Sequence, residues 1–223
     1  MDKQDVKRLI EAEKLIVIVR DVELEKLVPL CEALYRGGVR LLEITFDAKG
    51  NTPAEVTAEN IAMLSKNFEG RLCIGAGTVI NVMQAELAIG AGAKYIISPN
   101  VNFDVIRYTA AHNTVSMPGA MTATEIVSAY EAGADYIKIF PASSLGLPYI
   151  KAICAPLSHI PLIAVGGINE NNVNDFLAAG LFGVGVGSNI VKKEKLDNEN
   201  YDGITELAKL YVQAIQSTET LRK

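Results

Sequence analysis

Eight short β-branched runs alternate with helical segments along almost the whole chain, and this alternation restricts the fold more than any other feature. The runs fall at residues 15–20, 40–46, 72–77, 95–99, 114–118, 135–141, 161–165 and 183–187. Between them, segments such as 23–36, 53–66, 82–91, 123–131 and 171–179 carry apolar residues at helical spacing, and several stop at a glycine breaker such as Gly37-Gly38 or Gly133. Strands separated by helices pair in parallel, and parallel strands are buried on both faces, which accounts for the nearly continuous apolar runs. Eight repeats predict an α/β fold in which the sheet closes into one (β/α)8 TIM barrel over residues 1–223, with no linker or low-complexity stretch. The alternative is an open doubly wound sheet with edge strands.

Composition narrows the class of partner. With 49% hydrophobic residues in 223, the chain can bury a sizeable core. A formal net charge of −5 supplies no basic face for nucleic acid or anionic lipid, so a small-molecule substrate is expected. Cys31, Cys73 and Cys154 are odd in number and widely spaced, which suits three buried thiols in a reducing cytoplasm rather than a disulfide framework. The opening Met-Asp-Lys-Gln-Asp-Val-Lys-Arg is too charged for a signal peptide, and no apolar run reaches membrane-spanning length; a cytoplasmic protein is expected. His112 and His159 are the only histidines and have no companion at ligand spacing, so neither metal nor cofactor is expected, although a carboxylate-only site stays open. No GxSxG elbow marks a serine hydrolase.

Lys138 is a lone cation in the apolar run Ala134-Asp-Tyr-Ile-Lys-Ile-Phe-Pro141. Desolvation lowers the pKa of a buried ammonium, and a partly neutral amine can attack a ketone to form a Schiff base. Active sites of barrels lie at the C-terminal ends of the strands, and strand residues alternate faces. That parity puts Arg20, Glu43 and Lys138 on corresponding faces, so they converge if those faces point inward. Lysine would form the imine, Glu43 would shuttle protons, and the planar fork of Arg20 would hold a carboxylate. The competing readings are a lysine that snorkels from a strand end, or a buried ion pair without chemistry.

Glycines supply a second element. Ala164-Val-Gly-Gly-Ile168 and Gly183-Val-Gly-Val-Gly-Ser188 follow the seventh and eighth runs, where bare backbone N–H groups make a phosphate cradle and Ser188 adds a hydroxyl. The GxGxxG spacing of a dinucleotide site is missing. Gly75-Ala-Gly-Thr-Val79 reads as another backbone-exposing turn, with Thr78 able to donate to a carboxylate. In Met117-Pro-Gly-Ala-Met-Thr-Ala-Thr-Glu125, Thr122 and Glu125 have capping-box spacing, and Pro118 with Gly119 is expected to shape the pocket wall.

These residues carry a resemblance. Leu42-Glu-Ile-Thr45, Gly75-Ala-Gly-Thr-Val79, Ile97-Ser-Pro99, Met117-Pro-Gly119, Ile137-Lys-Ile-Phe-Pro-Ala142, Val165-Gly-Gly167 and Gly185-Val-Gly-Ser188 occur in order from about residue 15 to 191. The chain resembles the 2-keto-3-deoxy-6-phosphogluconate (KDPG)/4-hydroxy-2-oxoglutarate (KHG) aldolases. The resemblance implies a class I lyase that releases pyruvate, from KDPG with glyceraldehyde 3-phosphate and from KHG with glyoxylate. It implies Lys138 as imine former and Glu43 as proton shuttle. Thr78 and Arg20 would hold the pyruvyl carboxylate, Pro99 and Phe140 belong to the substrate-binding set, and Gly166, Gly167, Gly187 and Ser188 would hold the phosphate. A homotrimer is also implied. Two departures bear on the substrate. Asp47 stands where some members have arginine, and an anion there is expected to repel an anionic substrate; Val165 stands where many have threonine, which removes a hydroxyl near the phosphate. The Ala-Val-Gly-Gly form and Ile139-Phe-Pro-Ala-Ser143 also resemble the 6-phosphogalactonate branch. A metal-dependent sugar-phosphate epimerase and a noncatalytic sugar-phosphate sensor are the readings from other classes.

Overall fold

The computed structural model describes residues 1–220 and places the strands in one parallel sheet. The segments are β1 (Leu15–Val19), β2 (Leu41–Thr45), β3 (Cys73–Gly77), β4 (Tyr95–Ile97), β5 (Val115–Met117), β6 (Gly119–Ala120), β7 (Ile137–Ile139), β8 (Leu162–Val165) and β9 (Gly183–Val186). They pair in the order β5-β4-β3-β2-β1-β9-β8-β7-β6. Only Pro118 separates β5 from β6, so the two ends of that order meet and the sheet closes on itself. Pro118 has no N–H and interrupts the ladder. On one side Ser98 N donates to Met117 O at 3.2 Å; on the other Lys138 N donates to Pro118 O at 2.9 Å. The eight predicted strands are therefore eight staves of a barrel, one of them split by proline into two segments. Pro118 and Gly119 do not line the pocket as expected; a Cβ on Gly119 would run into the backbone of Pro99.

The helices are α1 (Lys3–Glu13), α2 (Leu24–Arg36), α3 (Ala54–Asn67), α4 (Val82–Gly90), α5 (Phe103–Ala111), α6 (Ala123–Glu131), α7 (Ala142–Cys154, kinked at Gly146), α8 (Val173–Ala178), α9 (Lys193–Asp197) and α10 (Tyr201–Thr220). The predicted capping box opens α6: Thr122 Oγ1 accepts from Glu125 N, and the Glu125 carboxylate accepts from Thr122 N at 2.8 Å. Helix α10 lays Ile204, Ala208, Tyr211 and Ile215 inward at helical spacing, and Thr205 Oγ1 donates to Ala33 O of α2 at 2.9 Å. None of the described helices is long and apolar enough to cross a membrane.

Strand alternation divides the core into two shells. Val17, Leu42, Ile44, Ile74, Ile96, Ile137, Leu162 and Val184 face the helices. Ile16, Leu41, Cys73, Tyr95, Val115, Tyr136 and Ile163 face one another inside the barrel, where Val6 and Ile10 of α1 join them. Helix α1 was not foreseen from the sequence, in which this segment registers chiefly as charge. An Asp2/Asp5 capping box starts it, and Lys3 and Lys7 anchor it to Asp135 at 2.8 and 3.4 Å. Its two buried side chains, Val6 and Ile10, four residues apart, stop the end of the barrel where the strands begin, which leaves the opposite end open among the described residues. Ile10→Ala should remove the centre of this plug and cost about 2–5 kcal/mol, the range for a large aliphatic truncated in a packed core; a urea midpoint unchanged from wild type would refute the plug.

Candidate active site

Strand parity brings Arg20, Glu43 and Lys138 to the barrel interior and its mouth. Glu43 of β2 pairs with Ile18 of β1 and Gly75 of β3, whereas Lys138 of β7 lies between Gly119 and Ile163. Both are buried, at 1% and 6% exposure. Arg20 follows the last residue of β1 and stays exposed at the rim. There its Nη2 donates to Thr78 Oγ1 at 3.4 Å, and Thr78 is held at φ +58°, a left-handed conformation that costs a threonine energy and turns its hydroxyl to the mouth.

Burial governs the protonation of the inner pair. It pushes the Lys138 ammonium below the ordinary lysine value, an effect the Arg20 cation reinforces and the Glu43 carboxylate opposes. Burial likewise pushes the Glu43 carboxyl up, against the pull of Lys138 and Arg20. Each group is thus moved toward its neutral form, which is what an amine nucleophile and a proton shuttle require near neutral pH. Glu43 Oε1 makes no hydrogen bond within the protein. Space for this carboxylate comes from Gly77, because a Cβ there would overlap Oε1. Glu43 and Lys138 share an internal cavity of about 10 Å³, roughly the room for one water molecule.

Above Lys138 opens a cavity of about 770 Å³. Arg20, Thr78, Pro99, Phe140, Gly166, Gly167, Gly187 and Ser188 all line it, with the Phe140 ring against Gly166. Lys138 Nζ lies 4.9 Å from the centroid of the Phe140 ring, within cation–π range. Every residue predicted to be catalytic or substrate-binding therefore borders this cavity except Glu43, which borders only the smaller one. Gly166 and Gly167 take φ of +95° and +75°, and a Cβ on Gly167 would strike Ser143 Oγ, so this stretch of backbone has to be bare. Bare N–H groups beside a hydroxyl suit an anion.

The two departures are resolved in different ways. Asp47 does not project into the cavity as a repelling anion. Its carboxylate accepts from the N–H groups of Lys49, Asn51 and Thr52 at 2.7–3.0 Å, bonds that hold its pKa below the ordinary value and fold the loop between β2 and α3. Val165 is buried and packs against Gly185, so it contributes wall and no hydroxyl. Among the described residues no group of three His, Cys, Asp or Glu could hold a metal ion.

Comparison with known proteins agrees with this geometry. A profile of the family "Aldolase: KDPG and KHG aldolase" matches residues 6–207. The chain belongs to this family. It is 32% identical to the 2-dehydro-3-deoxy-phosphogluconate aldolase of Treponema pallidum over 207 residues, 92% of this chain and 95% of that one. It is also 32% identical to the 2-dehydro-3-deoxy-6-phosphogalactonate aldolase of Escherichia coli over 203 residues, covering 91% and 96%. A crystal structure of the Legionella pneumophila KDPG aldolase, with pyruvate captured as a covalent carbinolamine intermediate, superposes with a TM-score of 0.81 at 32% identity over 90% of this chain and 95% of that one. Identity to these two enzymes is equal, so it does not choose between their substrates.

Two features of this aldolase-family site escaped the sequence reading. Gly77 ends its strand as the sequence predicts, but nothing in the glycine-rich stretch marks its missing side chain as the slot for Glu43. Glu23 and Lys26 of the β1–α2 region and Lys193 and Asp197 of α9 form the outer rim of the cavity. No local signal marks them, since they lie about 170 residues apart in pairs that only the closed barrel brings together. The opposed influences on Lys138 can be separated by its reactivity toward a small amine-selective reagent, followed across pH by peptide mass spectrometry. Glu43→Gln removes an anion that favours the ammonium, so the reactivity limb should move to lower pH. Arg20→Gln removes a cation that disfavours it, so the limb should move to higher pH. Shifts of the same sign in both variants would contradict this account.

Proposed function

We propose that the protein is a class I aldolase that reversibly cleaves KDPG to pyruvate and glyceraldehyde 3-phosphate through a Schiff base on Lys138, and that also cleaves KHG to pyruvate and glyoxylate. The observation that carries this reading is a buried amine, its pKa lowered by its surroundings, that borders an open cavity and shares a small inner one with a buried carboxylate. The carbinolamine in the Legionella relative supports it. In this scheme the neutral amine attacks the C2 ketone and gives a carbinolamine, which loses water with proton transfers through Glu43 to leave an iminium. The 4-hydroxyl proton is then removed while the C3–C4 bond breaks. Its electron pair moves into the iminium to give an enamine, and the aldehyde departs. Protonation at C3 and hydrolysis return pyruvate and the free lysine. Thr78 and Arg20 hold the carboxylate at one end; Gly166, Gly167, Gly187 and Ser188 hold the phosphate at the other; Pro99 and Phe140 pack against the carbon chain.

A second reading has a specific observation behind it. The Ala164-Val-Gly-Gly167 form and Ile139-Phe-Pro-Ala-Ser143, which resemble the galactonate branch, support the 6-phosphogalactonate isomer as the substrate, which differs in configuration at the 4-hydroxyl. Assay of the two isomers side by side decides between them. We read the protein as a cytoplasmic homotrimer, in keeping with its three free thiols and with the exposed apolar side chains Ile80, Met83 and Phe103 on adjoining elements; native mass spectrometry should show three chains.

Borohydride reduction in the presence of pyruvate should add a pyruvyl group at Lys138, located by peptide mass spectrometry. Lys138→Ala should abolish that adduct and lower cleavage by about 10³-fold or more, because the lost contribution is covalent. The fold should survive, as circular dichroism would show, because Glu43 left without its partner can take up a proton. An adduct that persists in the variant would rule out Lys138 as the imine former.

A further inference from the structure

The phosphate cradle described above consists of neutral N–H groups and one hydroxyl. A phosphate monoester carries close to two negative charges near neutral pH, and protein sites that bind one commonly add a cation. Arg20 is already engaged with Thr78, its Nη2 donating to Thr78 Oγ1 at 3.4 Å. Beyond Ser188, however, the cavity wall continues to Lys26 of α2 and Lys193 of α9. Lys26 is the more sheltered, with 19% of its side chain exposed. Its Nζ lies 2.7 Å from Glu23 Oε2, and Glu23 is itself mostly exposed. An ammonium has three donors, and this bond uses one. The hydrogen bond to Glu23 and the nearby Asp197 carboxylate raise the Lys26 pKa, so the group carries its charge at neutral pH. Lys193 is fully at the rim and bonds both Asp197 oxygens at 2.8 and 2.9 Å.

At this mouth Asp21, Glu23 and Asp197 balance Arg20, Lys26 and Lys193, so an anion is drawn in only if a lysine exchanges its partner. Such an exchange is inexpensive: exposed ion pairs contribute little to stability, whereas an ammonium against a phosphate dianion in a walled cavity makes a strong charge-assisted bond. We propose that Lys26 is a specificity-determining residue that leaves Glu23 to bind the terminal phosphate, and so selects phosphorylated over unphosphorylated keto acids, with Lys193 as the outer contributor. This rests on the reading of the cavity as a site for a phosphorylated substrate. The competing role is structural, with Lys26 serving only to tie the start of α2 to its neighbours.

The test uses inorganic phosphate as the probe, titrated calorimetrically into the full chain. Lys26→Met should weaken phosphate binding about tenfold, Lys26→Arg should retain most of it, and Glu23→Gln should tighten it by freeing the lysine. In turnover, Lys26→Met should raise KM for the phosphorylated substrate with little change in kcat, which loss of a structural tie would not do selectively. Equal phosphate affinity in wild type and Lys26→Met, or a loss in Glu23→Gln as large as in Lys26→Met, overturns the proposal. Failure of the aldolase reading is separately visible, because it would show as no pyruvate adduct in the wild-type protein whatever the phosphate titration gives.

Discussion

The desolvation of Lys138 is the constraint on which the site depends, and it holds only because the barrel is closed. Inside the inner shell an ammonium and a carboxylate stand among Ile16, Ile97, Met117, Ile163 and Val165, with α1 sealing one end. Water cannot reach them from below, so their protonation is set by burial and by each other. A buried charge alone would be expensive. Two groups of opposite sign, each drawn toward its neutral form, make that cost tolerable and leave a reactive amine beside a group able to take or give a proton.

Geometry around this pair is set by residues that do no chemistry. Gly77 is bare so that the Glu43 carboxylate can occupy the space its side chain would fill. Ser143 packs against Gly167, and its N–H donates to Gly166 O at 3.0 Å, which ties the exit of β7 to the glycine turn after β8. Asp47 spends its charge on the loop that it folds rather than on the substrate. The rim pairs Glu23–Lys26 and Lys193–Asp197 leave the mouth nearly neutral, so selectivity there rests on which partners the lysines choose.

Much of this was legible in the chain, for identifiable reasons. The nearly continuous apolar runs between helical segments predicted the barrel because parallel strands are buried on both faces. Parity then placed Arg20, Glu43 and Lys138 together, since every strand of a closed sheet turns alternate residues inward. The split of one stave at Pro118 changed the number of segments and left the topology intact. Helix α1 was obscured because only Val6 and Ile10 of its 11 residues are buried, too few to stand out against the surrounding charge. The role of Gly77 in making room for Glu43 was hidden because a glycine looks alike in sequence whether it bends the chain or clears space for a neighbour.

What the sequence determined by itself was the order of elements, the closure into a barrel and the identity of the residues that face inward, because these follow from periodicity and from the motifs. Only the tertiary structure decided that Asp47 turns back on its own loop, that Glu43 lies below the main cavity rather than on its wall, and that Lys26 and Lys193 share a rim with Ser188. Those outcomes depend on distances between residues far apart in the chain and on how side chains divide a limited interior space. Local pattern carries no record of either.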